Sequence, residues 1–306
     1  MNYALAIHGG AGTISKQHIT PDKEKEYLAV LKEAVLFGAS ILKSGGSSLD
    51  VVEKTVIFLE DIPLFNAGKG SVFTHHGHHE MDASIMCGQT MQAGAVAAVR
   101  NVKNPVMLSR KVMDESGFVL LVGRGAEDFA HHCALDFRED EYFFTQYRYA
   151  QWQMLKNSEV AEVDHFDNNK YGTVGAVALD NNGNLAAATS TGGLTNKKFG
   201  RVGDTSVIGA GTYANNNTCA ISCTGYGEYF IRNVVAHDVS ALMEYKNMTL
   251  ADATDVVVHH KLKKAGGEGG LIAIDRQGNI CMPFNTQGMY RGCANAKSEN
   301  IQVAIY

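Results

Sequence analysis

The sequence predicts an α+β protein in which stacked, largely antiparallel sheets are covered by helical layers. Two hairpins and the segment between them predict it. Residues 174–179 and 185–188 are apolar runs joined by Asp180-Asn181-Asn182-Gly183-Asn184, and residues 272–275 and 279–282 are joined by Arg276-Gln277-Gly278. Asn-Gly between two apolar runs is a strong hairpin signal. Between the hairpins lie two helical patterns, about 228–245 and 249–262. The first carries Phe230, Val234, Val235, Val239, Leu242 and Met243 on a broad apolar stripe. Hairpins flanked by helices argue for layered sheets rather than a doubly wound parallel one.

The earlier elements follow in order. Residues 3–7 read as a short strand ending in a glycine loop, His8-Gly9-Gly10-Ala11-Gly12, which fits neither nucleotide-binding glycine pattern. Thr20-Pro21 opens a helix as N-cap and first helical residue; Leu28, Leu31, Val35 and Leu42 mark one face, and Gly45-Gly46 stops it. Ser47 or Ser48 caps a second helix reaching about Glu60. A compact loop, 63–70, leads to His75, His76, His78 and His79. Gly77 among them suggests an exposed turn rather than a metal site. Ala93 to Val99 reads as a buried strand, Asn104-Pro105 as the start of a helix to about Met113, Phe118 to Val122 as a strand, and 126–155 as irregular helix.

Composition narrows the function. The chain has 306 residues, 45% hydrophobic and 19% charged, with a formal net charge of −5. That is ordinary for a globular protein and opposes nucleic acid as the main partner, since phosphate binding needs a basic surface. No apolar run is long enough to span a membrane, and the amino terminus lacks the basic start of a signal peptide. The six cysteines form no C-x-x-C pair, so buried reduced thiols in a cytoplasmic protein are expected.

The informative seam is Gly172-Thr173. A polar, charge-rich stretch from Lys156 to Lys170 precedes it, and an apolar β-branched run follows within three residues. If the Gly172–Thr173 bond were cut, Thr173 would carry a free α-amine beside its own hydroxyl. Such an amine, with a reference pKa of about 8, is a base in the same residue as the nucleophile. Downstream, Thr224-Gly225 at a strand end offers a hydroxyl and a backbone N–H for a developing oxyanion. Arg201 and Asp204, three apart in the glycine-flanked loop Gly200-Arg201-Val202-Gly203-Asp204, suit the carboxylate and ammonium of an amino-acid head group. Each also has a plain reading: Arg201 and Asp204 pairing across a turn, and Thr224 as an N-cap.

The segments H-G-G-A-G at 8–12, P-L-F-N-A-G at 63–68, G-T-V-G-A-V-A-L-D at 172–180, T-S-T-G-G at 189–193, G-R-V-G-D at 200–204 and T-G-Y-G-E at 224–228 resemble the isoaspartyl peptidase/L-asparaginase family of N-terminal-nucleophile hydrolases. The resemblance implies a four-layer αββα sandwich forming a single domain. It implies self-cleavage between Gly172 and Thr173 into an α subunit, 1–172, and a β subunit, 173–306, assembled as an (αβ)₂ heterotetramer. Thr173 would be the nucleophile, with Thr191 hydrogen-bonded near it and Asn66 orienting it. Arg201 with Gly203 would take the substrate carboxylate, Asp204 and the Gly227 carbonyl the ammonium, and Thr224 and Gly225 the oxyanion.

The family's activity is hydrolysis of β-aspartyl dipeptides and L-asparagine, with no cofactor for the chemistry. A sodium-binding main-chain loop is implied around Leu59, Glu60, Ile62, Phe65, Ala67 and Lys69. Two alternatives stand beside this reading: a glycosylasparaginase on the same scaffold, and an uncleaved relative that binds amino acids without turnover. The first is separated by its sugar-linked substrate, the second by an absence of turnover.

Overall fold

The computed structural model describes residues 2–17, 19–156 and 172–306, so most of the charge-rich stretch before Thr173 lies outside the described residues. Among the described residues, the strands form an eight-stranded sheet and a four-stranded sheet. The larger sheet has the order β12-β11-β1-β5-β6-β2-β3-β4, built from β1 (Ala4–Gly12), β2 (Met81–Cys87), β3 (Ala93–Val99), β4 (Leu120–Val122), β5 (Val174–Leu179), β6 (Leu185–Thr191), β11 (Gly288–Asn295) and β12 (Ser298–Ala304). The smaller has the order β10-β9-β8-β7, from β7 (Thr212–Ala214), β8 (Cys219–Gly225), β9 (Gly269–Asp275) and β10 (Ile280–Cys281).

Three apolar layers bind these sheets to each other and to the helices. One lies between the large sheet and α1 (Pro21–Lys43), α2 (Ser48–Glu60) and α3 (Pro105–Lys111), with Leu31, Val35, Val52 and Val56 facing Leu5, Ile7 and Ile85. The second lies between the sheets and is rich in alanine, including Ala4, Ala6, Ala187 and Ala220 against Ile272 and Ile274. Small side chains let the sheets approach closely. The third joins the small sheet to α7 (Gly227–Asn233), α8 (Val235–Lys246) and α9 (Leu250–Asp255) through Ile221, Phe230, Val239 and Leu271. The order is helix, sheet, sheet, helix, as the resemblance implied.

The local signals act as expected where one segment holds its own partners. Thr20 Oγ1 accepts from Lys23 N–H at the start of α1, and Ser47 Oγ does the same for Asp50 at the start of α2. The two hairpins share one device: Asp180 Oδ1 accepts from the N–H groups of Asn182 and Asn184, and Asp275 Oδ1 from those of Gln277 and Asn279. Each carboxylate thus closes its own loop as an Asx turn.

Elsewhere tertiary contacts override the pattern. His8-Gly9-Gly10-Ala11-Gly12 is not a loop but the second half of β1, paired with β11 through Gly12, with a bulge between His8 and Gly10. The stripe over 228–245 is split at Val234, whose φ of 49° ends α7 and starts α8. The N–H groups of Ala236 and His237 bond the Ala210 and Gly209 carbonyls, so the first turn of α8 is satisfied by a loop instead of by more helix. The helix from Pro105 widens into a π turn over Val112–Ser116, and the pattern from 249 does so over Val256–Leu262. The strand expected from Phe118 is confined to Leu120–Val122.

Between β1 and β5 the fold contains α4 (Gly123–His132), α5 (Asp140–Phe143) and α6 (Gln146–Leu155), the irregular helical region expected over 126–155. The histidine cluster is a turn, with Thr74 N–H bonded to the His78 carbonyl. It is not wholly exposed, because His79 is buried and its Nδ1 bonds the Ser71 carbonyl. Among the described residues no group of His, Cys, Asp or Glu is arranged to hold a metal ion.

Candidate active site

Thr173 sits immediately before β5, near the middle of the large sheet, and is half-buried. Its Oγ1 donates to Thr191 Oγ1 at 3.1 Å. Thr191 is the last residue of β6, whose neighbour in the sheet is β5, so the two threonines are brought together by the first hairpin. Thr191 Oγ1 also accepts from Gly193 N–H at 3.1 Å.

Asn66 reaches this point chiefly through its backbone. Its N–H donates to the Gly172 carbonyl at 2.9 Å, and its carbonyl accepts from Gly192 N–H at 2.9 Å. The side chain braces the loop instead of touching Thr173: Nδ2 donates to the Gly193 carbonyl at 2.7 Å and Oδ1 accepts from Val72 N–H at 3.0 Å. Asn66 therefore clamps both segments that meet at Thr173. The partner of Thr173 Oγ1 is a threonine hydroxyl, not the Asn66 amide.

Thr224 is buried near the end of β8, where its Oγ1 accepts from Ala11 N–H at 3.3 Å. That bond occupies an oxygen lone pair and leaves the hydroxyl proton to be given elsewhere. Thr224 is not an N-cap: Tyr226 stands at that position of α7, with no side-chain bond. Gly225, paired with Gly269, has no room for a side chain, since a Cβ would lie 2.4 Å from the Glu268 carbonyl.

Arg201, Gly203, Asp204 and Gly227 form a second, charged cluster. A Cβ on Gly227 would lie 2.9 Å from Arg201 Nη2 and 2.9 Å from Asp204 Oδ1, and one on Gly203 would lie 3.0 Å from Arg201 Nη1. Glycine at both places keeps the space over the charges open. The cross-turn ion pair between Arg201 and Asp204 does not form. Arg201 instead makes a bidentate pair with Glu228, Nε to Oε1 at 2.9 Å and Nη2 to Oε2 at 2.9 Å.

The carboxylates of this cluster are perturbed in opposite directions. Burial pushes Asp204 up to about 7, although the nearby Arg201 charge pulls it down, and its Oδ2 is buried with no hydrogen-bond partner. Burial also raises Glu228, but the Arg201 hydrogen bonds and charge outweigh it and hold that carboxyl below its ordinary value. An orphaned carboxylate oxygen beside a fixed guanidinium is chemically able to receive a cation next to an anion.

The structure thus gathers the sequence-predicted residues into two neighbouring sets, one of hydroxyls and one of charges. It adds residues that had been given no role. Glu228 lay inside T-G-Y-G-E and His8 inside H-G-G-A-G, so both were visible as letters but not as partners. Buried Lys197, whose Nζ donates to the Glu80 carbonyl at 2.8 Å and which burial lowers in pKa, gave no local signal. Its Nζ approaches Gly193, where a Cβ would be 3.0 Å away.

Comparison with known proteins shows the family. A family model described as Asparaginase matches residues 1–305. The chain is 50% identical to the isoaspartyl peptidase of Escherichia coli over 94% of this chain and 91% of that one, and 50% identical to that of Salmonella typhimurium over 95% of each. It is 43% identical to the plant-type L-asparaginase of Pyrococcus abyssi over 94% of each. With nearly the whole length covered on both sides, and with a threonine-centred site in a four-layer sandwich, the chain belongs to this asparaginase family.

Proposed function

We propose that the protein is a self-activating threonine amidohydrolase that releases aspartate from β-aspartyl dipeptides and from L-asparagine. The observation that carries it is the placement of Thr173: its hydroxyl on Thr191, the preceding carbonyl held by Asn66 N–H, and a receptor for both charges of an amino acid nearby. The relatives named for these two activities support the substrate class.

In self-cleavage, Thr173 Oγ1 attacks the Gly172 carbonyl carbon, and the Asn66 N–H bonded to that oxygen stabilises the charge that develops there. The Gly172–Thr173 C–N bond breaks as the Oγ1 proton passes to the departing nitrogen, and water then hydrolyses the ester, leaving the Gly172 carboxylate and a free Thr173 α-amine. The chain then exists as subunits 1–172 and 173–306 of one domain. In turnover the α-amine takes the proton from Oγ1, which attacks the side-chain carbonyl of the substrate. Ammonia or an amino acid leaves, and water releases aspartate from the acyl-threonine. Thr191 orients the hydroxyl, while the Thr224 hydroxyl and Gly225 N–H receive the oxyanion. Arg201, held by Glu228 and faced by Gly203, takes the α-carboxylate; Asp204 and the Gly227 carbonyl take the α-ammonium.

No cofactor enters this chemistry. The loop of Leu59, Glu60, Ile62, Phe65, Ala67 and Lys69 suits a sodium ion through its main-chain carbonyls. The Glu60 and Phe65 carbonyls pack against Gly68 and Gly70, where a Cβ would lie 2.4 Å and 2.0 Å from them, so the loop backbone is tightly folded. The Lys69 ammonium lies 5.3 Å over the Tyr142 ring, a partner other than the loop's own carbonyls. Sodium would stiffen the loop that presents Asn66.

Assembly as (αβ)₂ is supported by β4, a free edge of the large sheet whose flank leaves Phe118, Val119, Leu120 and Val122 exposed. The partner is a small substrate, not nucleic acid. No described helix is long and apolar enough to cross a membrane. Six cysteines free of disulfides accord with the cytoplasm.

Denaturing mass spectrometry of purified protein tests the reading: two fragments meeting at Gly172/Thr173 are expected, and a Thr173→Ala chain that stays whole and inactive. Full activity in an uncut chain, or any turnover by the alanine variant, overturns it.

A further inference from the structure

Five buried polar side chains outside the two site clusters form one continuous chain through the middle of the sandwich. In the large sheet Ser84 lies opposite Thr189, Thr189 opposite Gly175, and Gly175 opposite His8, so the four occupy one cross-strand row on β2, β6, β5 and β1. In the small sheet Thr212 lies opposite Ser222. The two rows meet across an otherwise alanine-rich layer.

The contacts run without a gap. Ser84 Oγ is 2.7 Å from Thr212 Oγ1, which is 2.5 Å from Thr189 Oγ1; that oxygen is 2.7 Å from Ser222 Oγ, which is 2.8 Å from His8 Nε2. The chain ends at the nucleophile's own residue, with His8 Nδ1 3.0 Å from the Thr173 carbonyl oxygen. Its far end is anchored by Ser84 Oγ, 2.6 Å from the Thr205 carbonyl. Gly175 makes the geometry possible, because a Cβ there would stand 2.0 Å from Ser222 Oγ and 2.4 Å from His8 Nε2.

The proton positions follow by accounting. A carbonyl oxygen only accepts, so His8 Nδ1 carries a proton. Burial lowers the His8 pKa to about 3, so the ring is neutral at pH 7 and Nε2 is an acceptor. Ser222 must then donate to Nε2, and each hydroxyl has a single proton. Thr189 therefore donates to Ser222 and Thr212 to Thr189, while Ser84 gives its proton to Thr212 or to the Thr205 carbonyl. From Thr212 onward every donor points toward His8.

We infer that this polarised row positions the nucleophile: Ser222, backed by Thr189, Thr212 and Ser84, holds His8 in its Nδ1–H tautomer, and His8 holds the Thr173 carbonyl. The inference rests on Thr173 being the nucleophile, as proposed above. Its physical purpose lies in the cut. Before cleavage residue 173 is tethered on both sides; afterwards the amide on its amino side is gone, and the grip on its carbonyl side remains. A hydroxyl seam that merely glued the sheets together would need neither a defined tautomer nor a contact with residue 173.

Paired substitutions and one spectroscopic reading test it. His8→Leu removes the donor, whereas His8→Asn places an amide nitrogen near the position of Nδ1. Misplacement of a reacting group by about 1 Å costs about 100-fold in rate. His8→Leu is accordingly expected to slow fragment formation and to lower kcat for L-asparagine about 100-fold, with KM within about threefold of wild type. His8→Asn is expected to restore about tenfold or more of that loss, and Thr189→Ser to recover most of what Thr189→Val loses.

In protein labelled with ¹⁵N at histidine, the ring signals absent from His8→Asn should show protonated Nδ1 and bare Nε2 at pH 7. That reading is taken on the wild-type protein, and His8→Leu supplies the same assignment if His8→Asn fails to fold. Wild-type kcat in His8→Leu, equal loss in His8→Leu and His8→Asn, or a proton on Nε2 would overturn the inference. Turnover by Thr173→Ala would remove the nucleophile assignment itself; an inert Thr173→Ala beside an unimpaired His8→Leu would remove only the positioning role.

Discussion

The two ends of the site are built from opposite materials. At the Thr173 end the side chains are neutral hydroxyls: Thr173 donates to Thr191, Thr191 and Thr224 accept from backbone amides, and a neutral histidine meets the Thr173 carbonyl. At the head-group end, Arg201, Asp204 and Glu228 bring three ionisable groups into one cluster, one of them with an unmet oxygen. The difference teaches a division of labour. Neutral donors held in place are suited to charge that appears only during reaction, whereas fixed charges suit a substrate that arrives already charged. Changes at the charged end should therefore act mainly through KM, and changes at the hydroxyl end through kcat.

Arg201→Ala offers the sharpest break. It removes the carboxylate receptor and leaves Glu228 unpaired, so kcat/KM for L-asparagine should fall by about 100- to 1,000-fold, mostly through KM, as is typical when one member of a desolvated pair is truncated. Steady-state kinetics at saturating substrate checks the split; a loss confined to kcat would erase the comparison.

Asp204→Asn is expected to cost about 30- to 100-fold in kcat/KM, the worth of one charge-assisted contact to an ammonium. Its pH behaviour sharpens the point. The folded-state pKa near 7 lies above the ordinary aspartate value of 3.8, so between these values the folded chain binds more protons than the unfolded one. Stability from this group is therefore greatest at low pH and is lost as pH rises through about 7, while ammonium binding appears over that same rise. kcat/KM should climb through about pH 7 in the wild type. The asparagine variant should gain more in melting temperature over wild type at pH 8 than at pH 5. An equal gain at both pH values would mean that Asp204 is ionised throughout.

Glu228→Gln should be milder. It keeps a hydrogen-bond acceptor for Arg201 but loses the charge of a carboxylate that is itself 40% exposed, so a KM increase of about three- to tenfold is expected, with kcat unchanged. Titration of initial rates against L-asparagine measures it.

The smallest effect belongs outside both ends. Thr20→Ala removes the N-cap bond of α1, and thermal unfolding should show a loss of about 1 kcal/mol with kcat and KM both unmoved. A kinetic change there would mean that the helical layer communicates with the site.

Much was legible in the residues because it is local. The caps at Thr20 and Ser47 and the two aspartate-closed hairpins each draw on partners within a few positions, and the seam at Gly172-Thr173 shows as a change of composition in the chain itself. Arg201 and Asp204 were candidates at short range too, since they lie in one loop. Their partner choice was not legible. A guanidinium three residues from one carboxylate was taken up by another, Glu228, 27 positions away, because a helix start brings it alongside. The Val234 break was hidden for a similar reason, as the apolar stripe runs on through residues whose amides are claimed by the loop at Gly209 and Ala210.

By itself, then, the sequence determined the layered class, the family resemblance and the candidate nucleophile, all of which rest on periodicity and on contiguous motifs. Only the tertiary structure decided what that residue touches. His8 and Thr173 are 165 positions apart, and His8 and Ser222 are 214 apart. Strand order in the large sheet puts His8, Gly175, Thr189 and Ser84 in one row, and sheet stacking sets Thr212 and Ser222 against it. Register across a sheet is a property of strands chosen from the whole chain, so no window of neighbouring residues contains it.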